Sequence, residues 1–383
     1  MTMTLKINRS AASLLLAAAI AAALVACAPS DLAPPASPAP AASPGATPTA
    51  SASAAAALSP QPIIDLTCAE LLADSTVAAQ FAVPVVPADA AISMMTASFF
   101  VMASAYFVRS LGGLACEWNN GESYTSSRGY NPAYVGYRVL VLPDAGSQWT
   151  KYIDTYGPEG AGQYCDSALA GLLRCESNDL VGDVWIEIET FGVTSDAAAA
   201  ALRTSVIDGV SAAATVAQVW APPAGTLPLP TDCGGLVPFS IVTSAVGSTS
   251  PIASYFGGGG WSLDAGAFVN AGVVSCSWAN EDSDQGPGGI RSLAAGAWAW
   301  NEARPAMTTP GTPALLPIAG LEGSDQAWIR CTPANTECVV DLVIGGNWIE
   351  FFLFQDNGVG LFISDLRGAA TTIAQGVVAT LRP

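Results

Sequence analysis

A tripeptide that occurs twice carries the side chains best suited to bind a ligand. Trp185-Ile-Glu187 and Trp348-Ile-Glu350 each begin ten residues after a cysteine. An aromatic ring beside a carboxylate can stack on a sugar ring or a cationic group and accept a hydrogen bond from it. On a strand the tryptophan and the glutamate point to the same side. These four residues are therefore candidate binding residues. The alternative is that each tryptophan packs under a helix.

The composition excludes most catalytic chemistry. No histidine occurs in 383 residues, which excludes Ser–His and Cys–His nucleophile pairs and His-ligated metals. Neither Ser-x-x-Lys nor Gly-x-Ser-x-Gly occurs, and the run Gly257–Gly260 lacks the Lys-Ser/Thr pair of a phosphate loop. Paired carboxylates, as in glycosidases, remain open because the chain has 31 acidic residues. We expect no catalytic residue, no cofactor and no metal.

Eight of the nine cysteines divide into two sets with matching surroundings. One set lies between residues 68 and 175, the other between 233 and 338. Cys116-Glu-Trp and Cys276-Ser-Trp each follow a glycine by four residues, and the repeated Trp-Ile-Glu continues the match. These identities at fixed offsets predict two copies of one domain, over residues 63–220 and 231–383. A proline-rich linker over 221–230 joins them.

The even cysteine count of each copy predicts disulfides. Catalytic or metal-binding thiols are the alternative, but no Cys-x-x-Cys is present. Four cysteines allow three pairings. Cys331 and Cys338 flank a turn-rich loop between two expected strands, so a bond across a hairpin is the natural reading. Cys165–Cys175 is the counterpart of this bond in the first copy, and the remaining cysteines of each copy then pair with each other. The expected disulfides are therefore Cys68–Cys116, Cys165–Cys175, Cys233–Cys276 and Cys331–Cys338.

Local patterns predict an α+β fold for each copy. Thr67-Cys-Ala-Glu70 matches a capping box, which predicts a helix start. Val184–Phe191 and Trp348–Phe354 alternate in the manner of strands. Apolar residues from Leu366 to Leu381 recur at steps of three and four, as in an amphipathic helix. We therefore expect two tandem domains, each an antiparallel sheet packed with helices and stapled by two disulfides.

One uncharged run, Ala91–Val108, has the composition of a membrane segment but is expected to be buried or to form an interface. The matching region of the second copy contains Asp264 and the four glycines. Two copies of one domain should share one fold, so a segment that spans a membrane in one copy only is not expected. Tyrosines surround Arg128 in the first copy only, and this difference between the copies predicts either a binding surface or a loop without a function of its own. The tyrosines are Tyr124, Tyr130, Tyr134 and Tyr137.

The first residues resemble those of bacterial prolipoproteins. Lys6 and Arg9 precede an uncharged Ala/Leu-rich run ending in Leu24-Val-Ala-Cys27, which resembles a lipobox. The resemblance implies that a signal peptide, residues 1–26, is removed. It also implies that Cys27 is lipidated and anchors the chain to the extracytoplasmic face of the cell membrane. A transmembrane anchor is the alternative, but the run is shorter than the roughly 20 residues of a span. Residues 27–62, rich in Ala, Pro, Ser and Thr, are expected to form a tether.

The mature chain is strongly acidic. Loss of Lys6 and Arg9 changes the formal charge from −18 to −18 − 2 = −20. Such a chain does not bind nucleic acid or anionic lipid headgroups by electrostatic attraction. The expected partners are the membrane, through the lipid anchor, and cell-wall or envelope components.

The cysteine motifs resemble those of domains of unknown function in actinobacterial secreted lipoproteins. The matching segments are Cys68-Ala-Glu-Leu-Leu72, Cys116-Glu-Trp118 and, in the second copy, Cys276-Ser-Trp278; the second copy departs at Cys233-Gly-Gly-Leu-Val237. The resemblance implies no enzymatic activity and a cell-envelope or sensor-like binding role. We therefore predict a non-catalytic binding or envelope-interaction module. The alternatives are a small-molecule carrier or sensor with an apolar pocket and a secreted carbohydrate-active enzyme that uses paired carboxylates.

Overall fold

The computed structural model describes residues 59–95, 102–126, 129–169, 172–214, 220–249, 252–255, 261–280, 286–308, 310–356 and 361–383. Cys27, the expected signal peptide and most of the expected tether lie outside these ranges, as do Arg128 and Gly257–Gly260. All described residues belong to one compact unit, from Ser51 to Pro383. The limits of the two copies and of the linker stay predictions.

The first half of this unit forms a six-stranded antiparallel sheet in the order β1-β2-β5-β8-β7-β6, with a two-stranded ribbon, β3-β4, beside it. Its elements are α1 (Cys68–Leu71), α2 (Asp74–Ala78), β1 (Val86–Ala88), α3 (Ala90–Ser93), α4 (Ser104–Ser110), β2 (Leu114–Asn119), β3 (Thr125–Ser126), β4 (Gly129–Tyr130), β5 (Gly136–Leu142), α5 (Gly146–Tyr156), β6 (Gly162–Leu169), β7 (Leu172–Val181), β8 (Val184–Phe191) and α6 (Asp196–Ala212).

The second half forms a seven-stranded antiparallel sheet in the order β12-β13-β14-β15-β11-β10-β9. Its elements are α7 (Cys233–Leu236), α8 (Phe239–Val246), β9 (Ile252–Tyr255), α9 (Leu263–Asn270), β10 (Ser275–Asn280), β11 (Gly288–Leu293), α10 (Ala297–Ala303), β12 (Ala314–Leu315), β13 (Gln326–Cys331), β14 (Glu337–Ile344), β15 (Asn347–Phe354) and α11 (Leu366–Leu381). The five-strand order β10-β11-β15-β14-β13 repeats the order β2-β5-β8-β7-β6 of the first half.

The predicted fold class is confirmed. Each half combines helices with an antiparallel sheet. The four disulfides form in the expected pairing: Cys68–Cys116, Cys165–Cys175, Cys233–Cys276 and Cys331–Cys338. Thr67 and Glu70 form the expected capping box at the start of α1. In the described part of the chain, no helix combines the length and the hydropathy that crossing a membrane requires.

Three hydrophobic clusters hold the unit together. One lies between the first sheet and helices α1, α2 and α6, and its counterpart lies between the second sheet and helices α7, α8 and α11. The third is shared by both halves and contains Tyr106 and Trp185 with Leu263, Trp298 and Trp348. Residues 102–108 lie in this shared cluster, so the described end of the uncharged run is buried between the halves.

Candidate functional site

The two repeated tryptophans are core residues, so the alternative that each packs within the fold is confirmed and a ligand-stacking role for the two rings is not. Trp185 and Trp348 are both 0% exposed. Trp185 packs against Tyr152, with ring centroids 5.0 Å apart, and Trp348 packs against Tyr106 at 5.7 Å. Each indole N–H donates across the hairpin at 3.0 Å, one to Asn178 and the other to Asp341. Burial of a large ring with its single donor satisfied stabilises the fold, so neither ring stacks on a ligand at the surface.

Glu350, the carboxylate of the second Trp-Ile-Glu, belongs to a buried ionic network. It is 0% exposed, as are Arg330 and Asp341. Arg330 donates to Asp341 at 2.9 Å and to Glu350 at 3.4 Å. The other oxygen of Glu350 accepts a 2.8 Å hydrogen bond from the backbone N–H of Met102 in the first half. Glu350 is therefore paired and hydrogen-bonded, as buried carboxylates generally are, and is not available to a ligand.

Glu187, the matching carboxylate of the first half, has different neighbours. Its cross-strand partners on β5 and β7 are Leu140 and Asn178, whereas those of Glu350 are Arg291 and Asp341. Glu187 is partly exposed as a whole residue, and its carboxylate makes no hydrogen bond or ion pair with a described residue. The repeat thus keeps the tryptophan in a structural role in both halves, but within the described structure one of its two glutamates has no hydrogen-bonding or ion-pair partner.

A second acid, Asp264 from the other half of the unit, acts electrostatically on Glu187 and also on Arg138 and Arg291. Asp264 lies in the first turn of α9, which Ser262 caps. Burial, together with the negative charge of Asp264, raises the pKa of Glu187 to about 8, against the opposing effect of Arg138. The Oδ1 atom of Asp264 is enclosed and has no hydrogen-bond partner in the described structure. Glu187 therefore holds a proton at neutral pH in the absence of an added cation.

The two arginines that lower the pKa of Glu187 already form ion pairs with other acids. Arg138 of β5 pairs with Glu189. Arg174 of β7 pairs with Glu189 at 3.1 Å and with Glu176 at 2.9 Å. Both arginines lower the pKa of Glu187 through space only. The result is a largely buried, mixed-charge group of side chains on the side of the first sheet that carries Trp185, which we call the charged face. It consists of Glu117, Arg138, Arg174, Glu176, Glu187 and Glu189.

Two of the four predicted tyrosines contribute to the charged face. The ring of Tyr124 lies over the guanidinium of Arg138, with 4.4 Å between the ring centroid and Cζ. The hydroxyl of Tyr134 donates to Glu117 at 2.9 Å. Tyr137 is 0% exposed and belongs to the hydrophobic cluster on the opposite side of the sheet. The side chain of Tyr130, like Arg128, lies outside the described structure.

Glu117 forms a second polar centre on the charged face. One of its oxygens accepts hydrogen bonds from Ser93, Asn119 and Tyr134, whereas the other has no partner in the described structure. Burial raises the pKa of this carboxyl, and the three donors oppose the rise. Ser93 and Asn119 also line an adjoining cavity of about 220 Å³. The cavity walls do not include Glu117 itself, so we give this centre a structural role.

Within the described ranges, metal-ligating atoms come together in a group of three or more at Cys165, Cys175 and Asp196. The two cysteines form a disulfide, so their sulfurs are not metal ligands. The acids of the charged face do not form such a group.

Sequence reasoning found Glu187 but missed the residues that distinguish it from Glu350. Arg138, Asp264 and Asn178 become relevant only once the strands are in register. The sequence nevertheless contained one sign of the difference between the two glutamates. The strand with Glu350 pairs with one that carries Arg291, and Leu140 occupies the matching place in the first half.

Comparisons with known proteins identify no relative. No protein family and no curated protein matches the chain. Among solved structures, the di-domain ARO/CYC StfQ from the steffimycin biosynthetic pathway is similar over 78% of this chain and 95% of that chain, at 9% identity and a TM-score of 0.13. A TM-score this low supports no conclusion about fold or function.

Proposed function

We propose that this chain is a lipid-anchored extracytoplasmic binding protein without catalytic activity, whose ligand site is the charged face of the first half. One observation carries the proposal. Glu350 is neutralised within the protein by Arg330 and by the N–H of Met102. Glu187, at the same place in the repeat, has no such partner in the described structure.

The physical argument concerns the cost of an unpaired, half-buried acid. Burial disfavours the ionised form of a carboxyl unless a cation or hydrogen-bond donors compensate. Glu187 avoids this cost by retaining its proton, in agreement with its pKa of about 8. A ligand that supplies a positive charge would recover the lost interaction. Acids whose pKa is displaced in this way, beside specific charged neighbours, occur preferentially at functional sites.

The location rests on Cys27. A diacylated cysteine followed by a tether of about 35 residues, Ala/Pro/Ser/Thr-rich, would hold the folded unit away from the membrane. Envelope components or solutes that pass through the envelope would then be within its reach.

The binding role is tested with the unit that begins at residue 51. Its thermal unfolding is recorded with and without the small-molecule fraction of a culture of the source bacterium. Stabilisation of the wild type that is lost in Glu187→Gln and kept in Asp208→Asn would support the proposal. Asp208 is exposed on α6 and serves as the matched control, since it also changes one acid to its amide. Equal stabilisation of all three proteins would place binding elsewhere.

The anchor is tested by the mass of the full-length protein recovered from membranes. We expect a mature chain that starts at Cys27 and carries acyl groups, and we expect Cys27→Ser to remain unprocessed. A processed, unmodified N-terminus would refute the lipid anchor while leaving the binding role intact.

A carbohydrate-active enzyme is the second candidate, and the Glu187–Asp264 pair favours it in one respect. Glycosidases combine a protonated acid of raised pKa with a second carboxylate. However, Oδ1 of Asp264 is enclosed, and such an enzyme needs both acids beside an open cleft. Release of reducing sugar from purified cell-wall polysaccharide, abolished by Glu187→Gln, would establish this candidate. The carrier with an apolar pocket has less support, because a described cavity of about 440 Å³ beside residues 223–226 is lined mainly by glycine and polar residues.

A further inference from the structure

A polar cavity of about 440 Å³ lies in the second half of the unit, beside the expected linker. Its walls come from four segments of the chain: residues 223–226, residues 322–325, the Gly345-Gly346 turn between β14 and β15, and Arg382 at the end of α11. Hydrogen bonds join these walls. The N–H of Leu227 donates to the carbonyl of Gly345 at 2.9 Å, and the N–H of Gly345 donates to Asp325 at 2.7 Å. The cavity is thus built from segments fixed to one another, and its volume suits a small molecule, for which sites span about 300–1,000 Å³.

A buried carboxylate holds Arg382 in one orientation on the cavity wall. The side chain of Asp325 is 2% exposed and accepts hydrogen bonds from Nε of Arg382 at 3.1 Å and from Nη2 at 2.8 Å. It also accepts from the backbone N–H groups of Gly345 and Glu322, at 2.7 and 3.2 Å. With four donors directed at it, this carboxylate has its acceptor sites occupied. Asp325 is therefore a positioning residue that fixes the guanidinium.

The remaining end of the guanidinium has a weaker partner. Nη1 of Arg382 lies 3.3 Å from Oε2 of Glu322. The side chain of Glu322 is 69% exposed, against 23% for that of Arg382. Such an ion pair contributes little, because solvent screens the charges and two long side chains lose conformational freedom. A carboxylate on a molecule in the cavity can therefore take the place of Glu322.

The first half has a side chain at the place where the second half has an open turn. Asp183 precedes Trp185 by two residues, as Gly346 precedes Trp348, so the two residues match in the repeat. Oδ1 of Asp183 accepts a 2.7 Å hydrogen bond from the N–H of Gly146, whereas Gly346 lines the cavity. The repeated fold forms with a side chain at this position as well as without one. The open turn is therefore a property of the second half and not a requirement of the fold.

The charges on the wall favour a ligand with one negative charge. Asp325 neutralises Arg382, and Glu322 adds a negative charge as long as it stays beside Nη1. Once Glu322 is displaced, Arg382 and Asp325 together carry no net charge and tolerate a monoanion, whereas a phosphate dianion is repelled more strongly by the two acids. The planar edge of a guanidinium also matches the two oxygens of a carboxylate.

We propose that this cavity binds small organic molecules that carry one carboxylate group. Arg382 is the binding residue, Asp325 orients it, and Glu322 is the internal anion that the ligand displaces. Sugar acids and the C-terminal carboxylate of short peptides offer the same group. The site lies in the second half, is separate from the charged face, and goes beyond the proposed function.

The test is saturation-transfer NMR at pH 7.5 and low ionic strength, with the compact unit from Ser51 to Pro383. The probes are glucuronate and its neutral counterpart glucose, N-acetylalanine and its neutral amide, and glucose 1-phosphate, each added alone. We expect saturation of glucuronate, of N-acetylalanine or of both, without saturation of the neutral counterparts. The carboxylate that responds identifies the source of the ligand.

Variants on either side of the ion pair should act in opposite directions. Arg382→Gln should weaken carboxylate binding about tenfold or more, because charge-assisted hydrogen bonds are lost. Glu322→Gln should strengthen it about two- to fivefold, because the competing carboxylate is removed. Glu322 is exposed, so this variant keeps the test intact if Arg382→Gln, which leaves Asp325 buried without its partner, folds poorly. Arg367→Gln removes an exposed arginine from the same helix and should bind as the wild type does.

Several results would overturn the inference. No saturation of either carboxylate by the wild type, or equal saturation of the neutral counterparts, would refute the ligand class. Tighter binding of glucose 1-phosphate than of glucuronate would refute the preference for a monoanion. Binding that neither Arg382→Gln nor Glu322→Gln changes would lie elsewhere, and binding that Glu187→Gln abolishes would lie on the charged face. The charged face is tested separately with the culture fraction, so the failure of either proposal leaves the other unaffected.

Discussion

The backbone N–H of Met102 in the first half donates a 2.8 Å hydrogen bond to Glu350 in the second half. The carbonyl of Met102 accepts from Arg291 at 3.0 Å. The residue two positions before α4 is therefore held by both of its backbone groups. In the corresponding place, α9 of the second half packs against β8, the strand that carries Glu187. The two halves thus contact each other in corresponding places, one held by the hydrogen bonds of Met102 and the other by the packing of α9 on β8.

The buried network around Arg330 should be essential for stability. Arg330→Met leaves Asp341 and Glu350 at 0% exposure without the cation that bridges them. Removal of one partner from a buried ionic network costs about 3–5 kcal/mol. We expect the free energy of unfolding in urea, measured with the disulfides intact, to fall by that amount.

The matched control is Glu302→Gln, which removes the half-exposed partner of Arg109. An exposed ion pair contributes about 1 kcal/mol or less, so this variant should stay close to the wild type. Similar losses for the two variants would contradict the structural role assigned to the Arg330 network.

The two repeated tryptophans should contribute differently to the free energy of unfolding, although both are fully buried. Trp348→Phe removes a donor to the carboxylate of Asp341, whereas Trp185→Phe removes a donor to the neutral amide of Asn178. Hydrogen bonds to charged groups contribute about 1.5–3 kcal/mol, against about 0.5–1.5 kcal/mol for neutral pairs. Both variants lose the same ring volume, so Trp348→Phe should be the more destabilised in urea unfolding. A larger loss for Trp185→Phe would show that packing, not the acceptor, decides.

The repeat explains why so much of the fold could be predicted. Cysteine and tryptophan identities at matching positions imply one fold used twice, and the short loop between Cys331 and Cys338 suits a cross-strand pair, which the register of β13 and β14 confirms. The alternation of Val184–Phe191 identified β8 correctly. A strand or a disulfide across a short hairpin depends on residues that are close in sequence, so it can be predicted from local patterns.

The exposure of the repeated tryptophans could not be predicted, because it depends on contacts between the halves. Alternation shows that Trp185 and Glu187 share one side of a strand, but not whether another layer covers that side. Trp348 is covered by Tyr106, which lies 242 residues earlier in the chain. Asp264 reaches the charged face in the same way. A single sequence carries no local sign of such packing.

The disulfides should contribute to stability according to the loops that they close. Cys233 and Cys276 are 43 residues apart, and Cys331 and Cys338 are 7 apart. Loop-closure entropy predicts about 4 kcal/mol for the longer loop and about 2.5 kcal/mol for the shorter. Replacing both cysteines of a pair by serine should therefore lower the urea midpoint more for the first pair. A larger fall for the Cys331–Cys338 pair would show that this bond also stabilises the folded hairpin of β13 and β14.

Glu187 should make the folded unit less stable as the pH rises. Its pKa is about 8 in the folded state against an ordinary value of 4.5. Between these values the folded protein binds a proton that the unfolded chain has released, so stability falls with increasing pH. Below this window both states are protonated, and above it both are ionised, so the contribution no longer changes. Glu187→Gln cannot ionise and should show a flatter profile.

The measurement is the urea unfolding free energy at intervals from about pH 5 to about pH 8, the window set by the two pKa values. The difference between wild type and Glu187→Gln should grow steadily across it. Glu337, whose pKa burial raises to about 7, adds a separate part that Glu337→Gln removes and that ends about one pH unit lower. Asp208→Asn should parallel the wild type. If Glu187→Gln also runs parallel to the wild type, a neighbouring group already neutralises Glu187, and its carboxyl is not an unpaired acid in solution.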